Sequence, residues 1–208
     1  MRPTRLILTA MLGLLTWVSA PAQLPAKGML LVATEELRDP VFSETVLLLL
    51  HYGSEGAIAV AINRPTWVRP EHAFPDLEYL QEYRGDIYFG GPVARANILV
   101  LVKDPGSGAL DSEPVVDDVH VSADPEFLRR AVAGTNDERS LRLYAGHASW
   151  EAGQLDREIA AGSWRVTAAS GAHVFSSEPL ELWRQLLTPA SEMVVRLRHA
   201  EAAMSLGR

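Results

Sequence analysis

The chain has 208 residues, an ordinary apolar fraction and a formal charge of −7. That length suits one domain with a sizeable core, and the acidic balance argues against a nucleic-acid partner, which wants a basic patch or stripe. With no cysteine anywhere, the chain can have no disulfide, thiolate metal site, cysteine nucleophile or lipid-modified cysteine anchor.

The first 22 residues read as an export signal. Arg2 and Arg5 form a positive n-region, residues 6–18 are an uncharged apolar run, and Ala20-Pro21-Ala22 supplies small residues for cleavage. The apolar run is shorter than the roughly 20 residues of a spanning helix. Val18-Ser19-Ala20 is a competing cleavage site, but it would leave Pro21 just after the cut. Signal peptidase is thus the expected processing partner, and no stable membrane anchor is expected after cleavage. Loss of Arg2 and Arg5 would make the mature chain more acidic by two charges. An uncleaved anchor, or a start set upstream of a cytoplasmic protein, is the other reading.

Residues 23–208 are expected to form the single domain. Met29–Ala33 and the runs Thr45–Tyr52 and Ala57–Ile62 read as strands, the last two joined by the turn signal Gly53-Ser54-Glu55-Gly56. Their apolar residues are continuous instead of alternating, which predicts a sheet covered on both faces. Asn63-Arg64-Pro65 breaks the second strand of the hairpin. Leu77, Leu80 and Tyr83 predict a short helix over 74–83. Asp86–Phe89 and Asn97–Lys103 read as strands flanking the sharp turn Gly90-Gly91-Pro92. Residues 104–114 form the longest expected loop, and Val115–Val121 is strand-like. Asp124-Pro125-Glu126 starts a helix, which Gly134 ends.

Leu141–Ala145 is the next predicted strand. Gln154–Ala161 reads as a helix and Trp164–Ala168 as a strand. Ser177 is expected to cap a helix carrying Leu182, Trp183, Leu186 and Leu187. The tail from Glu192 is either one more helix or frayed. A hairpin at the start and connections too short for crossover helices favour an α+β domain with a mixed sheet.

No catalytic, metal or cofactor motif emerges. None of the six histidines lies in a His-x-His or His-Glu-x-x-His pattern. There is no Gly-x-Ser-x-Gly elbow, no phosphate loop and no Gly-x-Gly-x-x-Gly. A Ser–His–Asp set from Ser43 or Ser149, His51 or His147, and Asp39 has no geometric support. Asp117-Asp118 reads as a solvated pair, and Arg196-Leu197-Arg198-His199 as a solvated helix face. The densest segment is Tyr144–Trp164. Gln154 and Glu158 there share a helix face. One reading is a tight turn held by Gly146 and Gly153 and closed by Gln154; the other is a polar pocket of His147, Trp150, Gln154 and Glu158.

These segments, in order, resemble the YqgE/AlgH family. The opening Gly-x-Leu-Leu-x-Ala pattern corresponds to Gly28–Ala33, and Asp-Pro-x-Phe to Asp39-Pro40-Val41-Phe42. The Asn-Arg-Pro block ends at Asn63, Arg64 and Pro65, and the Gly-Gly-Pro-Val turn is Gly90, Gly91, Pro92 and Val93. The Trp-x-x-Gly-Gln-Leu-x-x-Glu block falls on Trp150, Gly153, Gln154, Leu155 and Glu158; Trp164 and Leu182-Trp183 follow. Each motif alone is weak, but the ordered set, from about residue 28 to 187, is specific. The chain departs from the family at Ala59, where Gly is usual, and at Gly146-His147-Ala148-Ser149, where Gly-Tyr-Ala-Gly is usual.

The resemblance implies an α+β fold with a split, partly barrel-like mixed sheet flanked by helices. It brings no established reaction, cofactor or catalytic residue. Some family members carry a transcriptional-regulator label, and the family resembles cytoplasmic proteins. The export signal together with the lack of a catalytic constellation points instead to a non-enzymatic binding or accessory protein of the cell envelope, periplasmic or secreted. A cytoplasmic regulator with an extended start, and an enzyme using a pocket near residues 144–158, are the alternatives.

Overall fold

The continuous apolar runs near the start of the domain become strands β1 (Met29–Ala33), β2 (Val46–Gly53) and β3 (Gly56–Ala61). The computed structural model describes residues 23–104, 113–135 and 137–188. The signal-like segment, most of the 104–114 loop and the tail from Glu192 lie outside these. β2 and β3 form the expected antiparallel hairpin, with Leu48 opposite Val60. Leu47 and Leu49 join one apolar cluster with Ala57, Ala59 and Ala61. Leu48 and Val60 join another, with Leu30, Val32 and Ile62. Alternate side chains of one strand thus enter two cores, which is why the runs do not alternate with polar residues.

The stretch after the hairpin differs from the sequence reading. A short strand, β4 (Pro65–Val68), and a one-turn helix, α1 (Pro70–Ala73), precede a 3₁₀ turn at Glu78–Glu82. They replace the single helix expected over 74–83. Phe74 takes φ −134°, ψ 66°, because the ring of Pro75 disfavours helical geometry in the residue before it. Leu80 and Tyr83 still face the core and are fully buried.

β5 (Ile87–Phe89) and β6 (Val93–Lys103) follow, β6 starting four residues before the expected Asn97. The strand expected over 115–121 is cut short. Asp117 has φ +47°, Val116 pairs with Val119, and β7 spans only Val119–Ser122. Helix α2 (Pro125–Gly134) begins as the cap residues predict, with Asp124 accepting from the Phe127 amide at 2.7 Å. Strand β8 (Leu141–Glu151), helix α3 (Gln154–Ala160) and strand β9 (Trp164–Ala168) come next. α4 (Gly171–Val174) and α5 (Leu182–Leu187) are the last helices among the described residues. Ser177 does not cap α5: a 3₁₀ turn at Pro179–Glu181 comes between them.

The result is an α+β domain with a mixed, strongly curled half-barrel sheet and five helices among the described residues. The strand order is β4-β5-β8-β3-β2-β1-β9, with β6 also on β8 and β7 on β6. Among the described residues only the β5–β8 pairing is parallel. β8 belongs to both halves of the sheet. Leu143–Ala145 pair with β5, and Ala148–Glu151 pair with β3. The strand expected to stop at Ala145 therefore continues to Glu151, and the tight turn lies at 151–154. Between the two halves Gly146 takes φ +72°.

Gly90 joins the halves. Its amide donates to the Ala145 carbonyl at 2.9 Å, and its own carbonyl accepts from the Ala61 amide at 2.8 Å. A Cβ on Gly146 would stand 2.5 Å from the Gly91 carbonyl oxygen, and one on Gly91 would stand 2.1 Å from the His147 carbonyl carbon. Two backbones cross here with no room for a side chain.

Gly146→Ala is expected to lower stability by about 2 kcal/mol or more, from left-handed strain and overlap together. Gly134→Ala, at an open helix position where a Cβ meets nothing within 4 Å, should be neutral or stabilise by up to about 1 kcal/mol. Urea denaturation midpoints check both; equal effects would contradict the crossing.

Candidate functional site

The family-motif residues converge on two knots of hydrogen bonds. In the first, the Asp39 carboxylate accepts from the Val41 amide at 2.7 Å, and this turn brings Phe42 over two indoles. The Phe42 ring stacks on Trp150 at 6.5 Å and meets Trp164 edge-on at 5.9 Å. The two indoles meet edge-to-face at 6.1 Å. Glu158 lies beside them. One carboxylate oxygen accepts both indole N–H groups, each at 2.9 Å, and the other accepts Gln154 Nε2 at 2.9 Å. Gln154 Oε1 accepts the Glu151 amide at 3.1 Å and closes the turn into α3. A buried indole N–H needs a partner, and this carboxylate serves two.

His147 does not join this set. Ala148 and Trp150 face the cluster, so strand alternation turns His147 and Ser149 to the other face of β8. The pocket of His147, Trp150, Gln154 and Glu158 is therefore not assembled. His51 pairs with Glu55 at 2.6 Å on the surface. Among the described residues no three His, Asp or Glu side chains are placed to hold a metal ion.

The second knot ties residues 43–46 to β4. Buried Asn63 accepts the Val46 amide at 2.9 Å and donates to the Glu44 carbonyl at 3.0 Å. Arg64 donates to the Ser43 carbonyl and to Thr45 Oγ1 at 2.7 Å. Burial draws the Arg64 pKa down, and the nearby Glu44 charge opposes that shift. Glu44 is held at φ +55°. Together these bonds fix Pro65 and the start of β4.

Pro65 is one wall of a cleft of about 320 Å³, which the sequence reading missed. Trp67, Tyr88, Phe175 and Pro179 line it as well. Arg142 also lines it and is only 4% exposed. The guanidinium donates to the Val174 carbonyl at 2.8 Å and the Ser176 carbonyl at 2.5 Å. It lies 4.8 Å from the centre of the Tyr88 ring and 5.8 Å from that of Phe175, so two aromatic faces offset part of its lost hydration. Arg142 Nε and the Tyr144 hydroxyl are buried side by side, and neither makes a hydrogen bond of good geometry among the described residues.

Asp86 and Glu138 line the same cleft. The Asp86 amide donates to Glu138 at 2.7 Å, and among the described residues neither carboxylate forms an ion pair. Burial raises the Tyr88 pKa; Asp86 and Glu138 push it the same way and Arg142 opposes them. Both signs of charge thus act on one phenol, which stays neutral. Arg142 had one signal in the sequence: a charged residue inside the apolar run Leu141–Ala145, in a sheet read as covered on both faces. Trp67 and Phe175 had none.

Removing the Glu158 carboxylate would orphan two indole donors and one amide. Glu158→Ala is expected to cost about 3 kcal/mol and to red-shift tryptophan emission. Exposed Glu151→Ala should stay within about 0.5 kcal/mol of the parent. Chemical denaturation followed by fluorescence reads both.

Residues 30–193 match the family profile described as AlgH-like. A UPF0301 protein of Streptomyces avermitilis is 36% identical over 168 residues, covering 77% of this chain and 84% of the relative. One from Chlamydia muridarum is 31% identical over 168 residues, covering 80% and 87%. The solution structure of the AlgH protein from Pseudomonas aeruginosa is similar with a TM-score of 0.64 at 28% identity, covering 81% of this chain and 92% of that one. A crystal structure of a protein from Corynebacterium diphtheriae gives 0.66 at 25% identity, covering 82% and 91%. With the profile spanning most of the chain and the motifs falling in the family's order, the chain belongs to the AlgH-like UPF0301 family.

Proposed function

We propose that this chain is a non-enzymatic binding or accessory protein of the cell envelope. The observation that carries the reading is how its polar groups are used. Glu158, Gln154, Asn63, Arg64 and Asp39 bond to one another, to indoles or to backbone, and so hold the chain to itself. The open Arg142 cleft combines aromatic walls with charged side chains, the make-up of a recognition site. The n-region, apolar run and small-residue cleavage site of residues 1–22 support a location outside the cytoplasm.

N-terminal sequencing of full-length, C-terminally tagged protein from fractionated cells tests the location. The expected product is an exported chain beginning at Gln23. A soluble cytoplasmic chain at precursor mass, or one starting near Met29, would overturn it. A DNA complex that persists at physiological salt would favour the regulator reading instead.

A further inference from the structure

We propose that the Arg142 cleft binds a neutral saccharide, with an apolar face of one sugar ring against Trp67 and its hydroxyls bonded to Asp86 and Glu138. The proposal deepens the binding reading above and does not depend on where the protein resides.

The first observation is the presentation of Trp67. Its indole is 72% exposed, and its backbone sits at φ +61°, a region that costs an L-residue roughly 1–2 kcal/mol. Burial of the ring does not offset that strain. The neighbours impose it. Thr66 Oγ1 donates to the Ile87 carbonyl at 2.6 Å. Arg69 grips the carbonyls of Tyr83 at 2.5 Å, Gly85 at 3.0 Å, and Arg84. A strained residue held between two anchors is a feature of ligand sites. Here it holds a flat aromatic face outward at the edge of the cleft.

The second observation concerns charge. Arg142 brings a buried cation without a carboxylate partner among the described residues, Arg139 at the rim is paired with Asp137, and Asp86 and Glu138 bring carboxylates without an ion pair among the described residues. A cationic guest would meet Arg142 and Arg139, and an anionic guest would meet the two carboxylates. A neutral guest rich in hydroxyls avoids both penalties and offers donors to the carboxylates. It must also carry an apolar face for the indole and the rings of Pro65 and Pro179. Sugar rings combine a C–H face with a rim of hydroxyls. A cleft of about 320 Å³ is at the small end of ligand sites and suits a short saccharide.

The test is calorimetric and fluorescence titration of the purified chain with maltose, cellobiose and N,N′-diacetylchitobiose. At least one is expected to bind saturably and blue-shift tryptophan emission. Its affinity should hold at about 1 M salt, where charge interactions are screened beyond about 3 Å. Trp67→Ala should weaken binding at least about tenfold without lowering the melting temperature, since the ring is exposed. Trp67→Phe should retain part of the affinity, and Asp86→Asn should reduce it. No saturable binding by any of the three overturns the inference. So does binding only by acetate or arginine methyl ester with steep salt dependence. Breakdown of a bound disaccharide would support saccharide recognition while overturning the non-enzymatic reading.

Discussion

The sheet depends on one crossing of two backbones. Gly146, inside β8, lies against Gly90-Gly91 so closely that a Cβ on any of the three would meet main-chain atoms at 2.1–2.5 Å. The left-handed geometry at Gly146 lets one strand pair with β5 before the bend and with β3 after it. Gly90 then hydrogen-bonds to both Ala145 and Ala61. Without this contact the two halves of the curled sheet would have no shared strand. Its energetic logic is steric: the bonds form only because three successive approaches lack side chains.

The same bend divides β8 by role. Before Gly146, the strand sends Arg142 and Tyr144 toward the Tyr88 side, where the cleft opens. After it, Trp150 enters the cluster with Trp164 and Leu155. His147 falls on the other face. A segment that is continuous in sequence therefore serves two separate environments, and a pocket drawn from its neighbouring residues does not form.

The two environments handle charge differently. Glu158 is surrounded by three N–H donors at 2.9 Å and has no visible claim on an outside partner. Arg142 is more deeply buried, yet among the described residues it has two carbonyl acceptors and two aromatic faces. A guanidinium tolerates this better than an ammonium because it is weakly hydrated and planar. One charge closes a structural knot; the other lines an aromatic-walled cleft. Most of the motif residues serve the first kind of role. The Asn63–Arg64 bonds hold Pro65 and β4 in place, so the motif supports the cleft without supplying its polar groups.

Local chemistry made much of the fold legible. The β2–β3 hairpin follows from two apolar runs and a glycine-rich turn, and the α2 start from Asp124 and Pro125. The shared helix face of Gln154 and Glu158 follows from their spacing. The ordered motifs carried the family. Where Pro75 and the Asp117 turn broke an apolar pattern, the sequence reading ran an element too far, because periodicity does not register a single backbone veto. The cleft was hidden for a different reason. Pro65, Trp67, Tyr88, Arg142 and Phe175 come from four separated stretches, and no local rule sets the distance between them. Sequence alone determined most of the segments that become strands and helices, and the glycines able to take special backbone angles. Tertiary structure decided which side chains met, because strand pairing and the bend at Gly146 assign each residue of β8 to a face.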